Sequence, residues 1–255
     1  MKLTVETRGT GPDLVLLHGW GMNRRVWAPL ADLLEARFTL HLVDLPGHGD
    51  SPWEAGCNRL AAWAEAVLES VPRQAAWAGW SLGGLVMLEA LRLAPRRLTA
   101  LIGIAATPCF VQRPSWSCAM EAGVLEQFAG QLARDHGGTL RRFLALQFQG
   151  VDQGREALRQ AIGLLETLPA PRAQALEAGL ALLRHSDLRP VLAGMDRPGR
   201  WLLGERDRLV PPALAGALPR LAPTLEIHCL SGAGHAPFLS HPGEVAGWLA
   251  GAEEP

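Results

Sequence analysis

Lysine is nearly missing from this chain of 255 residues: Lys2 is the only one, and arginine carries almost all the positive charge. Acidic and basic side chains nearly cancel, 25 against 24, for a formal net charge of −1. No global field therefore draws the chain to nucleic acid or to a membrane surface. Cysteine is scarce as well. Cys57, Cys109, Cys118 and Cys229 form no C-x-x-C and no paired Cys/His spacing, which argues against a disulfide framework or a structural zinc. No apolar run approaches the length needed to span a bilayer, and the opening "MKLTVETRGTGPD" has no apolar stretch of the signal-peptide kind. The expectation is a soluble chain in the cytoplasm, with free and mostly buried thiols, no membrane or nucleic-acid partner, and a monomeric state.

What is present is an ordinary globular composition, 48% hydrophobic and 19% charged, in a length that suits one domain with an insertion. "KLTVETRG", "DLVLLHG", "FTLHLVD", residues 74–80 and "LTALIGIAA" read as short strands. Helical patterns separate most of them, at "WAPLADLLEA", at about 59–69 and from Leu82 onward. Such interleaving predicts a mostly parallel sheet with helices on both faces. From about 112 to 190 the strand pattern disappears and only helical segments remain, broken at "DHGG", "QGVDQG" and "LPAPRA". Alternation then resumes with "GRWLLGE", a helix near 211–220, "LEIHCL" and a last helix from about 242. The reading is an α/β core of residues 1–111 and 191–255, interrupted by a helical cap over 112–190.

The chemistry is concentrated in a few stretches. In "AWAGWSLGGLV" Ser81 stands between Gly79 and Gly83, where a strand pattern gives way to a helix pattern. That is the G-x-S-x-G of a nucleophile elbow, a tight strand-to-helix turn that lifts a serine hydroxyl out of a sheet. A serine hydroxyl is a poor nucleophile near neutral pH and needs a base, itself oriented by a carboxylate. Around such an elbow the acid and then the base follow the serine in chain order, on loops after late strands. Asp207 in "GERDRLVP" and His235 in "SGAGHAPFLSHP" hold those positions. Glu205 lies closer to the strand end and stands as an alternative acid. Asp187 and Asp196 precede their strand, His228 lies within one, His241 abuts the last helix, and His41 and His48 come before the serine. Donors for an oxyanion are expected from the N–H of Leu82, at a helix start, and of Trp20 in the "LLHGWG" loop, with His18 bracing that loop.

"VLLHGWGMN", "FTLHLVDLPGHGDS", "WAGWSLGGLV", "ATPCF", "RFLALQ" and "GAGHAPFLSHP" together resemble the α/β-hydrolase superfamily. Within it they resemble the pimeloyl-acyl carrier protein methyl ester esterase family of biotin synthesis, over nearly the whole chain. The resemblance implies the α/β-hydrolase fold, a serine carboxylesterase with Ser81 as nucleophile, Asp207 as acid and His235 as base, and no metal or organic cofactor. It also implies a substrate site made by Trp20, Ser81, Leu82, His235 and the stretch Phe143, Leu144, Ala145, Leu146 and Gln147. The implied partner is an acyl-carrier protein bearing a pimeloyl methyl ester. Such a carrier is acidic, so Arg142, Arg155 and Arg159 on the cap, with Arg134 and Arg141 near in sequence, are candidate docking residues. Asp135, Asp152 and Glu156 could instead neutralise them on a solvated face. A broad short-chain carboxylesterase, or a carbon–carbon bond hydrolase or lyase, would fit the same scaffold. A haloalkane dehalogenase would carry aspartate at the elbow, and a non-catalytic binding protein would usually have lost a triad member; none is missing here.

Overall fold

The computed structural model describes residues 1–251. Seven strands carry the alternation: β1 (Val5–Gly9), β2 (Asp13–Leu17), β3 (Thr39–Val43), β4 (Ala75–Trp80), β5 (Leu98–Ile104), β6 (Gly199–Gly204) and β7 (Leu225–Leu230). They form one sheet in the order β1-β3-β2-β4-β5-β6-β7. Only the β1–β3 pair is antiparallel; every other neighbour runs parallel. The carboxyl ends of the parallel strands therefore share one edge, where open α/β sheets gather their functional groups.

The helices in chain order are α1 (Ala28–Leu34), α2 (Leu60–Ser70), α3 (Leu82–Leu93), α4 (Ala122–Leu132), α5 (His136–Gln147) and α6 (Gly154–Leu165). They continue with α7 (Ala173–His185), α8 (Arg189–Ala193), α9 (Leu214–Leu221), α10 (Pro237–Ser240) and α11 (Pro242–Ala250). Successive side chains of a strand point to opposite faces, and β2 shows the result. Val15 and Leu17 enter a core shared with α2, α3 and α9, whereas Leu14 and Leu16 enter one shared with α1, α10 and α11. In the second core the rings of Trp27, Trp80 and Phe238 interlock, with centroids 4.3 to 6.3 Å apart. Such tilted and edge-on pairs match the ring quadrupoles.

Between β5 and β6 the chain builds α4 to α8, and the pairing there is limited to isolated bridges at Val111–Met120 and Arg113–Trp116. The inserted helices reach into both cores: Phe143, Leu176 and Leu180 into one, Leu144, Phe148, Ala157 and Ala161 into the other. The boundary expected at residue 190 falls inside α8, because Pro190 occupies the first turn, where a missing N–H costs nothing. The one-turn helix α10 has no counterpart in the sequence reading, since four residues are too few to show a helical period.

Candidate active site

Ser81 occupies the sharp turn between β4 and α3, with φ 54° and ψ −118°. A non-glycine residue holds such a conformation only where its surroundings enforce it. Here its N–H donates to the Ile104 carbonyl at 3.1 Å, and its own carbonyl accepts from Gly84 at 2.9 Å. A Cβ on Gly79 would lie 2.5 Å from the Gly83 carbonyl oxygen, and one on Gly83 would lie 2.3 Å from that of Leu17. Both positions flanking the serine therefore exclude any side chain, as the G-x-S-x-G spacing predicts. Leu82 opens α3, so its N–H lies in the first turn, where helix donors have no intrahelical acceptor.

Asp207 and His235 meet as the sequence order requires. His235 Nδ1 and Asp207 Oδ2 are 2.8 Å apart, and the two side chains are 1% and 0% exposed. Asp207 Oδ1 also accepts from the N–H groups of Leu209 and Val210 at 2.8 and 2.9 Å. With three donors on a buried carboxylate, the charged form is well satisfied and points Nδ1–H of the imidazole at itself. His235 Nε2 is then the lone-pair nitrogen, and it is buried without a hydrogen-bond partner. Trp80, the residue before Ser81, donates from its indole N–H to the His235 carbonyl at 2.7 Å, tying base and elbow together. A histidine held this way, with its free ring nitrogen unpartnered and its carbonyl bonded to the residue before Ser81, has the orientation that proton transfer to and from a hydroxyl requires.

Glu205 points elsewhere: its Oε2 accepts from the Gly232 N–H at 2.9 Å and from the Ser231 hydroxyl at 3.0 Å. These two donors, the Gly232 N–H above all, hold its carboxyl below the usual range. The other competitors are also occupied. Asp187 pairs with Arg189, Asp196 with Arg197, His41 with Asp13, and His228 stacks on Trp248. His18 accepts from the Leu45 N–H at Nε2, 3.0 Å, and its Nδ1 lies 2.8 Å from the Gly19 carbonyl, so the ring bridges two loops at the carboxyl edge. Burial drives its pKa down to about 4. His48, with its ring centroid 5.1 Å away, is held at about 3 by burial first and by His18 second.

Trp20 is buried, with its indole N–H on the Leu176 carbonyl at 2.8 Å and its ring edge-on to Phe143 at 4.9 Å. A Cβ on Gly179 of α7 would lie 2.7 Å from Trp20 and 3.3 Å from Leu82. Helix α7 thus packs over Trp20 and Leu82, a placement the sequence reading missed; the mid-helix glycine in "QALEAGLALL" was the available signal. Of the five residues expected at the acyl site, Phe143, Leu144 and Gln147 are buried, Leu146 is half-buried and Ala145 is exposed. Consecutive helical residues are 100° apart, so five in a row cannot all turn inward. Leu140 and Leu144 line a cleft of about 290 Å³ together with Gly21, Ile162, Leu165 and Leu168. The Gln147 amide is buried with both polar atoms unpartnered.

Arg155 and Arg159 lie together on one open cleft beside Phe148 and Gly150, and Arg142 is exposed outside it. The acids nearby are mostly engaged elsewhere. Asp135 caps α5, Asp152 pairs with Arg206, and Glu156 pairs with Arg159. The four cysteines are free, and no cluster of metal-ligating side chains occurs among the described residues. No helix there is long and apolar enough to cross a membrane.

The sheet order, the elbow and a buried carboxylate–imidazole pair at the carboxyl edge define a hydrolase of the α/β class. Similar solved structures agree on the fold: an esterase from Exiguobacterium antarcticum has a TM-score of 0.88 at 21% identity, covering 98% of this chain and 94% of that one. A bromoperoxidase from Bacillus anthracis has a TM-score of 0.83 at 18% identity, over 97% and 93%. The chain belongs to the alpha/beta hydrolase family, whose profile matches residues 14–248, and within it to the pimeloyl-acyl carrier protein methyl ester esterases. The relative of that name from Methylococcus capsulatus is 48% identical over 241 residues, 94% of each chain. The one from Stenotrophomonas maltophilia strain K279a is 46% identical over 245 residues, 96% of this chain and 94% of its own.

Proposed function

We propose that this chain is a serine carboxylesterase that removes the methyl group from a pimeloyl methyl ester carried on acyl-carrier protein. The observation that carries the chemistry is the buried Asp207–His235 pair with Nε2 free, tied through Trp80 to the elbow serine. The substrate is supported by near-full-length similarity to relatives named for it. Ser81 Oγ attacks the ester carbonyl while His235 takes its proton, and the oxyanion rests on the N–H groups of Leu82 and Trp20. Collapse of the tetrahedral intermediate expels methanol, protonated by the same imidazole. Water, deprotonated by His235, then attacks the acyl-enzyme and releases the free carboxylate with Ser81 restored.

In this reading residues 112–190 act as a cap over a core of 1–111 and 191–255. The apolar side chains of Trp20, Phe143 and Leu144 and the unpartnered amide of Gln147 are the groups this reading assigns to the acyl chain, with Leu144 also lining the cleft against Gly21. Arg142, Arg155 and Arg159 receive the acidic carrier. Their exposure supports this, and so does the engagement of Asp135 and Asp152 elsewhere. The test is to incubate the purified chain with methyl pimeloyl-acyl-carrier protein and to follow loss of the methyl group by mass spectrometry. Wild type converts it and Ser81→Ala does not. An unaltered ester with active wild-type enzyme on simple esters would refute the substrate; conversion by Ser81→Ala would refute the nucleophile.

A further inference from the structure

The corner between α5 and α6 lies against both loops that carry the acid and the base. The Gln147 carbonyl accepts from the His235 N–H at 3.3 Å, and the Asp152 N–H donates to the Gly232 carbonyl at 3.3 Å. Arg206 Nη1 donates to the Gly150 carbonyl at 3.0 Å and to Asp152 Oδ1 at 2.5 Å. Arg208 reaches the Gln149 side chain at 3.2 Å. The fit is close: Gly232 has φ +72°, and a Cβ there would lie 2.5 Å from Asp152 Oδ2. From the core side, Glu205 holds Gly232 and Ser231, and the Arg206 N–H donates to the Ala233 carbonyl at 2.8 Å. Three consecutive residues thus grip three different things. Glu205 holds the base loop, Arg206 the cap corner and Asp207 the imidazole.

We propose that Arg206 is a positioning residue: it clamps the Gly150–Asp152 corner onto the His235 loop, so that the base is aligned while the corner is seated. The inference rests on the reading of Ser81, His235 and Asp207 as the catalytic groups. Arg206 is 43% exposed and Asp152 62%, so this ion pair in isolation would be worth little. Its importance comes from its place, since the corner it holds begins three residues after Gln147, whose carbonyl accepts from the backbone N–H of the base. Small misplacements of a catalytic group cost far more in rate than in stability.

The test uses the full chain and a small p-nitrophenyl ester that needs no carrier. Arg206→Ala lowers kcat roughly fivefold with KM unchanged, because an interaction felt at the transition state is lost. Arg206→Lys recovers most of kcat, since one nitrogen serves both acceptors and an ammonium can do the same. Asp152→Asn, which keeps an acceptor without the charge, falls between. High salt moves the wild type toward the alanine variant and leaves that variant unmoved. A kcat for Arg206→Ala equal to wild type overturns the proposal, as does a lowered melting temperature with unaltered kcat, or a lysine variant no better than alanine. Ser81→Ala separates the two readings: turnover retained there sinks the catalytic assignment and the clamp together. An inactive Ser81→Ala beside a fully active Arg206→Ala sinks the clamp alone.

Discussion

Acid should destabilise this protein well before its carboxylates titrate, because two neighbouring imidazoles are buried neutral. His18 and His48 are shifted from the ordinary 6.5 to about 4 and about 3. As the pH falls below 6.5 the unfolded chain takes up a proton at each site and the folded chain does not, so stability declines. The decline continues until the pH passes through the folded values. Between about pH 8 and pH 5 each histidine removes about 2 kcal/mol, about 4 kcal/mol together, from a total that is typically about 5–15 kcal/mol. Urea unfolding followed by circular dichroism across that range measures it. His48→Asn is the control: its amide can replace the Nδ1–H donor to the Pro46 carbonyl, now 3.0 Å away, but cannot titrate. It should halve the pH dependence whatever it does to the baseline. A wild-type loss below about 1 kcal/mol, or an undiminished loss in His48→Asn, would refute the assignment of this slope to the histidine pair.

Asp207→Asn should lower kcat roughly ten-thousandfold by leaving the imidazole in the wrong tautomer, whereas Glu205→Gln, which keeps an acceptor for the Gly232 N–H, should be mild; steady-state kinetics on a small ester decides. Gly79→Ala should cost about 1–3 kcal/mol, since its Cβ would meet the Gly83 carbonyl at 2.5 Å. Gly163→Ala, in α6 with open space around it, should instead gain up to about 1 kcal/mol, so the two melting temperatures move in opposite directions. Replacing Arg142, Arg155 and Arg159 together should raise KM for the carrier-bound ester and leave a free small ester unchanged. The difference should shrink at high salt, where exposed charges are screened beyond about 8 Å even at physiological strength.

Much of this was legible in the order of residues. The strands show themselves by short apolar runs, and the elbow by two glycines whose absent side chains the turn requires. Asp207 is distinguished from Glu205 by distance past β6, which decides which carboxylate reaches the imidazole. Other features leave no periodic trace. That β1 runs antiparallel and that β3 inserts between β1 and β2 depend on pairings between segments far apart in the chain. Gly179 stands out as a glycine inside a helix, but what it makes room for shows only when Trp20 and Leu82 are seen beneath it. The grip of Glu205 and Arg206 was invisible because it joins distant loops largely through backbone carbonyls and N–H groups, which nearly every residue possesses. Of the five acyl-site positions, the helical period alone could have separated Ala145 from Phe143 and Gln147.

His235 has its carbonyl on Trp80 and its N–H on Gln147, so the core holds one side of its peptide chain and the cap the other. Among the contacts that join residues 112–190 to the rest of the chain, this one runs through the backbone of the residue proposed as the base. Were residues 112–190 to move off the core, the His235 N–H would lose its acceptor while its carbonyl stayed moored to the strand that leads into Ser81. The placement of that segment and the alignment of the imidazole would then be linked through one peptide group.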